Sequence, residues 1–207
     1  MKLERIFAKP ICIITLCTAF VYGLILPFCW GNDPTSELGT LSLLCEGSGR
    51  QIWFWIWGIL SSGSIVLNTQ YMYRKYDSRN RFLDVLCILG FIGIICVALT
   101  LGHPIDSWNP KRIIHWIATG FYIAFTIAPI ALFFIFNIKK FRRFGIFTLC
   151  SFLILATFLL TFGIMGKSAI MEMVPLAMFE ILLFVVNFTP VGKPIPKNEQ
   201  ETEVALK

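Results

Sequence analysis

The chain is 207 residues long, 57% hydrophobic, 15% aromatic and only 14% charged, with a mean hydropathy of +0.74. That composition excludes a water-soluble domain of this size and points to an all-α, polytopic membrane protein. The formal charge of +6 does not imply nucleic acid, because Lys and Arg cluster at the ends of apolar runs instead of along one face.

Residues 1–10 carry Lys2, Arg5 and Lys9, and residues 11–29 are apolar over a length that spans a bilayer. Leu26-Pro27-Phe28-Cys29-Trp30 offers no small-residue cleavage site, so this run reads as a first helix and not as a signal peptide. Residues 31–50 are the longest predicted outer loop, with Asp33, Glu37 and Glu46 against Arg50. A second helix over 51–72 has Trp53, Trp55 and Trp57 at its outer end. A basic turn with Arg74, Lys75, Arg79 and Arg81 leads to a third helix over 83–101.

A polar link follows, with His103, Pro104, Asp106, Trp108, Asn109, Pro110, Lys111 and Arg112, and then a long fourth helix over 113–138 that contains Pro129. A proline at that depth removes a backbone donor and kinks a helix, a cost neighbouring helices absorb. After the basic turn of Lys139, Lys140, Arg142 and Arg143 come a fifth helix over 144–165 and a sixth over 169–189. Only Gly166, Lys167 and Ser168 separate these two, which requires an antiparallel hairpin. Residues 191–207 have no apolar period and read as a disordered cytoplasmic tail.

Fourteen of the 18 Lys and Arg fall on one side of these six helices, which places both termini in the cytoplasm. All six Trp fall toward the other side, while Tyr71, Tyr73 and Tyr76 mark the inner interface, as aromatic belts do. Cys12, Cys17, Cys87, Cys96 and Cys150 lie inside apolar runs and read as small hydrophobes. Cys29 and Cys45 bracket the outer loop and are the candidate disulfide, worth about 3 kcal/mol if formed.

Two polar stripes run down helices at helical spacing: Trp57, Ser61, Ser64 and Asn68, and His115, Thr119, Tyr122 and Thr126. Such stripes normally hydrogen-bond between helices, at roughly 0.6 kcal/mol per contact. Glu172 and Glu180 on the sixth helix stand out, because a membrane-depth carboxylate costs at least a few kcal/mol unless protonated, hydrated or paired. Their spacing predicts two layers. The outer one holds His103, Asp106, His115 and Glu172; the deeper one holds Glu180 beside Tyr122.

The outer set has the residue types of an acid–base pair or a divalent metal site. The weightier reading of the same residues is purely structural: a His115–Glu172 ion pair that pins the loop to the sixth helix, with Asp106 capping the fourth helix or pairing with Arg112. Glu180, Tyr122, Trp116 and Asn68 are candidate binding residues, and no cofactor is indicated.

Ser36-Glu37-Leu38-Gly39 after the first helix, Pro104-Ile105-Asp106 after the third and His115 at the head of the fourth resemble the damage-regulated autophagy modulator and FGF-receptor-activating-protein family. The likeness is greater still to its prokaryotic relatives, catalogued as a domain of unknown function. It implies a six-helix integral membrane protein without established catalytic activity, with Ser36, Glu37, Gly39, Asp106 and His115 at matching positions and relatives tied to lipid-anchor remodelling and lipid handling.

The leading expectation is therefore a protein that binds or organises membrane lipid at a Trp-rich outer mouth. It would reside in the cell membrane of a prokaryote, or in an endomembrane or plasma membrane otherwise, with no nucleic-acid partner. The alternatives are a membrane-embedded lipid hydrolase or transferase using the His/Asp/Glu set, and a small proton- or ion-coupled transporter using Glu180. An absent inverted repeat weighs against the last.

Overall fold

The structure is a computed structural model that describes residues 9–29, 35, 41, 45, 49–101, 110–141, 143–165 and 168–192. Six α-helices occupy most of this: α1 (Lys9–Ile25), α2 (Gln51–Lys75), α3 (Arg81–Leu99), α4 (Pro110–Asn137), α5 (Phe144–Met165) and α6 (Ala169–Phe188). Short 3-10 turns at Leu26–Phe28 and Pro190–Gly192 extend the first and last, and no strand occurs among the described residues. Four stretches, Lys9–Phe28, Gln51–Lys75, Arg81–Leu99 and Ile113–Asn137, are long and apolar enough to cross a membrane. With α5 and α6 of comparable length, 22 and 20 residues, the chain is a polytopic six-helix bundle.

Each helix packs on its neighbours in sequence, and α6 packs back on α1, so the six close into a ring. The exception is α2, which touches α1, α3, α4 and α6 and so takes the inner position. It is the least apolar of the four membrane-length stretches, and its polar residues explain why it turns inward: Ser61, Ser62, Ser64, Asn68 and Thr69 are all buried. Conversely α5, which carries no charge, turns Ile146, Leu149, Phe152, Leu153, Leu159, Leu160 and Ile164 outward, the face acyl chains require.

Helix ends follow local chemistry. Pro110 opens α4 three residues before the apolar run, where its missing N–H costs nothing. Asn80 caps α3 by accepting from Phe82 N at 2.9 Å. α2 runs three residues past the expected 51–72 to Lys75, and beyond the cap residue Tyr76 the chain turns at Asp77, whose φ of 45° is left-handed. There Ser78 N donates to Tyr73 O and Asp77 N to Arg74 O, the paired bonds of a Schellman stop.

At this basic end Tyr73, Tyr76, Phe133, Phe134, Phe141, Phe144 and Phe147 stack with neighbouring ring centroids 4.8–6.2 Å apart. Lys75 Nζ donates to Val186 O and Asn187 O, which closes the C-terminus of α6, and Arg143 does the same for Pro190 O and Val191 O. This end is thus locked by rings and caps, and the opposite end carries the candidate site.

Candidate functional site

At the Trp-bearing end a second core joins five elements: Leu26, Phe54 and Trp57, Ile94 and Val97, Ala118 and Tyr122, and Ala169 and Met173. Leu41 and Cys45 of the connecting loop sit inside it, both 0% exposed. Glu172, in the first turn of α6, fixes that loop, because its Oε2 accepts a hydrogen bond from Leu41 N at 2.9 Å. The carboxylate that sequence reasoning assigned to an imidazole thus holds a loop amide.

Burial, and then the Glu172 charge, push the Cys45 thiol up to about 12. Cys29 lies exposed on the last turn of the first span, with its Sγ donating to Ile25 O, and both cysteines are free thiols. The expected Cys29–Cys45 bridge is therefore not formed in this structure: one sulfur faces outward while the other is enclosed by the loop core.

His115 is buried, and its Nδ1 lies 3.1 Å from Thr100 Oγ1 at the end of α3. The Thr100 hydroxyl spends its proton on Cys96 O and Val97 O, at 2.8 and 3.0 Å. That leaves Nδ1 placed to donate to the Thr100 hydroxyl oxygen. Among the described residues the ion pair is Arg79 with Asp84, and none joins His115 to Glu172. The two stand at the same end of the bundle but serve different segments, α3 for His115 and the first loop for Glu172. His103 and Asp106, with Trp30, Trp108, Ser36, Glu37 and Gly39, lie outside the described residues. Among the described residues no group of His, Cys, Asp and Glu is placed to hold a metal.

Deeper in the bundle, both predicted stripes face inward. Trp57, Ser61, Ser64 and Asn68 are buried, as are His115, Tyr122 and Thr126. Thr119 departs from its stripe by donating to His115 O one turn back. Asn68 ties helices together: its Nδ2 donates to Cys12 O and Ser64 O, and its backbone carbonyl accepts from Asn187 Nδ2 at 2.9 Å, which sews α1, α2 and α6 together, while its Oδ1 has no partner among the described residues. Trp116 is 40% exposed on the outer surface of α4, so it lines no interior cavity.

Glu180 and Tyr122 behave differently. Both are buried, at 3% and 6% exposure, and neither Glu180 Oε1 nor the Tyr122 hydroxyl has a hydrogen-bond partner among the described residues. Ser62, outside the predicted stripe, joins them with an equally unpartnered Oγ. Sequence reasoning passed over Ser62 because it sits one position off the Ser61–Ser64 face. It also passed over Asn187, although Glu180 and Asn187 are seven residues apart and share a face of α6.

No family model, no curated protein and no solved structure matches the chain.

Proposed function

We propose that this membrane protein binds and organises lipid at the Trp-bearing end of its bundle, in the outer leaflet, with both termini cytoplasmic. The observation that carries the reading is the placement of Trp53 and Trp116. They are 45% and 40% exposed near the starts of α2 and α4, where an amphipathic ring meets headgroups. Exposed Arg50 and Lys111 lie within a few residues of them and supply cations for lipid phosphate. The Glu172 bond to Leu41 N and the His115 contact with Thr100 hold the surface behind these groups rigid. Kinship with the damage-regulated autophagy modulator family is part of the same proposal, and the placement of His115 at the head of α4 is compatible with it.

The test is retention of phospholipid by purified protein, read by native mass spectrometry on the wild type and on a His115→Ala, Glu172→Ala double variant. Loss of bound lipid in a variant that still elutes as a folded bundle is the expected result. Equal lipid retention in the two would overturn the reading.

A further inference from the structure

Ser62 of α2, Tyr122 of α4 and Glu180 of α6 stand eleven or twelve residues from the helix starts at Gln51, Pro110 and Ala169. At 1.5 Å per residue all three lie about 16–18 Å down, near the middle of a hydrocarbon layer about 30 Å thick. They form one cluster: Ser62 is a hydrogen-bonding neighbour of the Tyr122 hydroxyl, short of full bond geometry, and Glu180 acts on the same hydroxyl through its charge. The position of Tyr122 is set from behind: Gly93 of α3 lies so close that a Cβ there would be 2.9 Å from Tyr122 Cα.

Packing alone does not account for this cluster. Elsewhere in the bundle Thr119, Thr148 and Ser151 spend their hydroxyls on helix carbonyls four residues back, while Thr69 Oγ1 is a further buried hydroxyl without a partner among the described residues. At this level Ser62 Oγ, the Tyr122 hydroxyl and Glu180 Oε1 all remain unpartnered among the described residues. Leaving a buried polar atom unmade costs about 1–3 kcal/mol, and among the described residues Glu180 Oε1 is the one such atom that belongs to a carboxyl, placed at mid-membrane. Next to Ser62 runs a crevice of about 10 Å³, lined also by Cys87, Phe125, Thr126 and Pro129, with room for about one water. Pro129 has no N–H to give the Phe125 carbonyl, which packs instead against Gly90 of α3, where a Cβ would lie 2.9 Å from it.

We propose that Glu180, Tyr122 and Ser62 form a mid-membrane site for an exchangeable proton, held by Glu180 as its carboxylic acid and relayed through the two hydroxyls and a crevice water. Binding forms one O–H bond on the carboxylate, and release returns that proton to water; no electron moves. The occupant is a proton because a single carboxylate with hydroxyl donors supplies too few oxygens for a divalent ion, and the crevice, which meets the cluster at Ser62 alone, admits nothing larger than water.

The packed helices bring no counter-charge to this level. α1 offers Cys12, Cys17 and Tyr22, α5 offers Cys150, and α2 offers Tyr71 and Tyr73. The cations Arg74 and Lys75 lie in the last turn of α2, where Lys75 is engaged with Val186 O and Asn187 O. The site goes beyond the lipid reading and stands or falls separately from it.

The test uses the full chain in phosphatidylcholine vesicles. Dicyclohexylcarbodiimide reacts with a membrane-embedded carboxylic acid and spares the carboxylate, and intact mass counts the adducts. One adduct at Glu180 is expected, with a yield falling about tenfold per pH unit once the acid ionises. Excess sodium should leave it unchanged, and the infrared carbonyl band of the acid should shift in deuterium oxide. Glu180→Gln should abolish the adduct, and Glu172→Gln should keep it. Should Glu180→Gln fail to assemble, the pH and deuterium measurements on the wild type decide alone, with Tyr122→Phe expected to slow deuterium exchange several-fold. A pH-independent adduct without a deuterium shift, no adduct at any pH, or protection by sodium would each overturn the proposal.

Discussion

Glu172 Oε2 and Leu41 N, 131 positions apart in the chain, meet at 2.9 Å and close the Trp-bearing end of the bundle. A charged acceptor on a loop amide is worth about 1.5–3 kcal/mol, enough to help hold Leu41 and Cys45 in their core. Glu172→Ala is therefore expected to release the loop while leaving the helices intact. Cys45 reports this directly: a water-soluble maleimide should label Cys29, exposed at the end of the first span, in the wild type at pH 8, and Cys45 as well in the variant. Peptide mapping that finds Cys45 equally protected in both would show that the bond carries no weight.

The same thiol gives a pH dependence. With its folded value pushed up to about 12 from 9.0, Cys45 stays protonated in the packed loop over a range where an open loop would ionise it. In that window the open state binds fewer protons, so loop stability is intact below pH 9 and falls as pH rises toward 12. Hydrogen exchange at Leu41 and Cys45, corrected for intrinsic rate, should accelerate above pH 9 and not between pH 6 and 8.

Gly90 and Gly93 let α3 and α4 approach closely, and a Cβ on Gly93 would sit 2.9 Å from Tyr122 Cα and 3.0 Å from its N. Backbone cannot step aside as a side-chain tip can, so Gly93→Ala is expected to cost about 1–3 kcal/mol. Gly63, with nothing within 4 Å of its Cβ position, is the control: Gly63→Ala should be neutral or stabilising by up to about 1 kcal/mol. Thermal unfolding in detergent micelles by circular dichroism separates the two, and equal melting temperatures would mean that α3 and α4 do not cross tightly here.

What was legible in the sequence was whatever repeats with a helical period. The inward faces of Trp57, Ser61, Ser64 and Asn68, and of His115, Tyr122 and Thr126, follow from spacing alone, because a polar side chain in lipid has nowhere else to turn. The partners did not follow. Glu172 is satisfied by a loop N–H and Lys75 by carbonyls at the end of α6, and a backbone group leaves no mark in the amino-acid order. His115 was matched in depth to Glu172, yet depth says nothing about azimuth, and the ring bonds to Thr100 at the α3 terminus instead. Asp84, in the first turn of α3, joins Gln70 at 2.6 Å and Arg79 at 2.9 Å, contacts that helical spacing within α3 does not foretell.

Asn68 is the stitch that holds three helices. Its Nδ2 reaches Cys12 O at 3.1 Å on α1, and its carbonyl accepts from Asn187 on α6. Asn68→Ala removes the side-chain arm and keeps the carbonyl, whereas Asn187→Ala removes the other arm and keeps Asn68. Each bond within a bundle is worth roughly 0.6 kcal/mol, so each variant should lose about 1 kcal/mol. Because the two arms grip different helices, the double variant should come close to the sum of the singles. A coupling above about 0.5 kcal/mol in a double-mutant cycle would instead mark the three helices as one cooperative unit.

Trp53, Trp116 and Trp57 differ in what surrounds them, and that difference can be measured in a bilayer. Trp53 and Trp116 are exposed on the outer surface of the bundle, while Trp57 is 4% exposed and packed on Phe54 with ring centroids 5.3 Å apart. In vesicles, lipids brominated near the headgroup should quench Trp53 and Trp116 strongly, lipids brominated near the chain end should quench them weakly, and neither should reach Trp57. Single-Trp variants with the other positions changed to Phe resolve the three signals. Strong quenching of Trp57, or of Trp53 by the deep label alone, would mean that the headgroup layer does not meet this end of the bundle, and the proposed lipid site would lose its anchor.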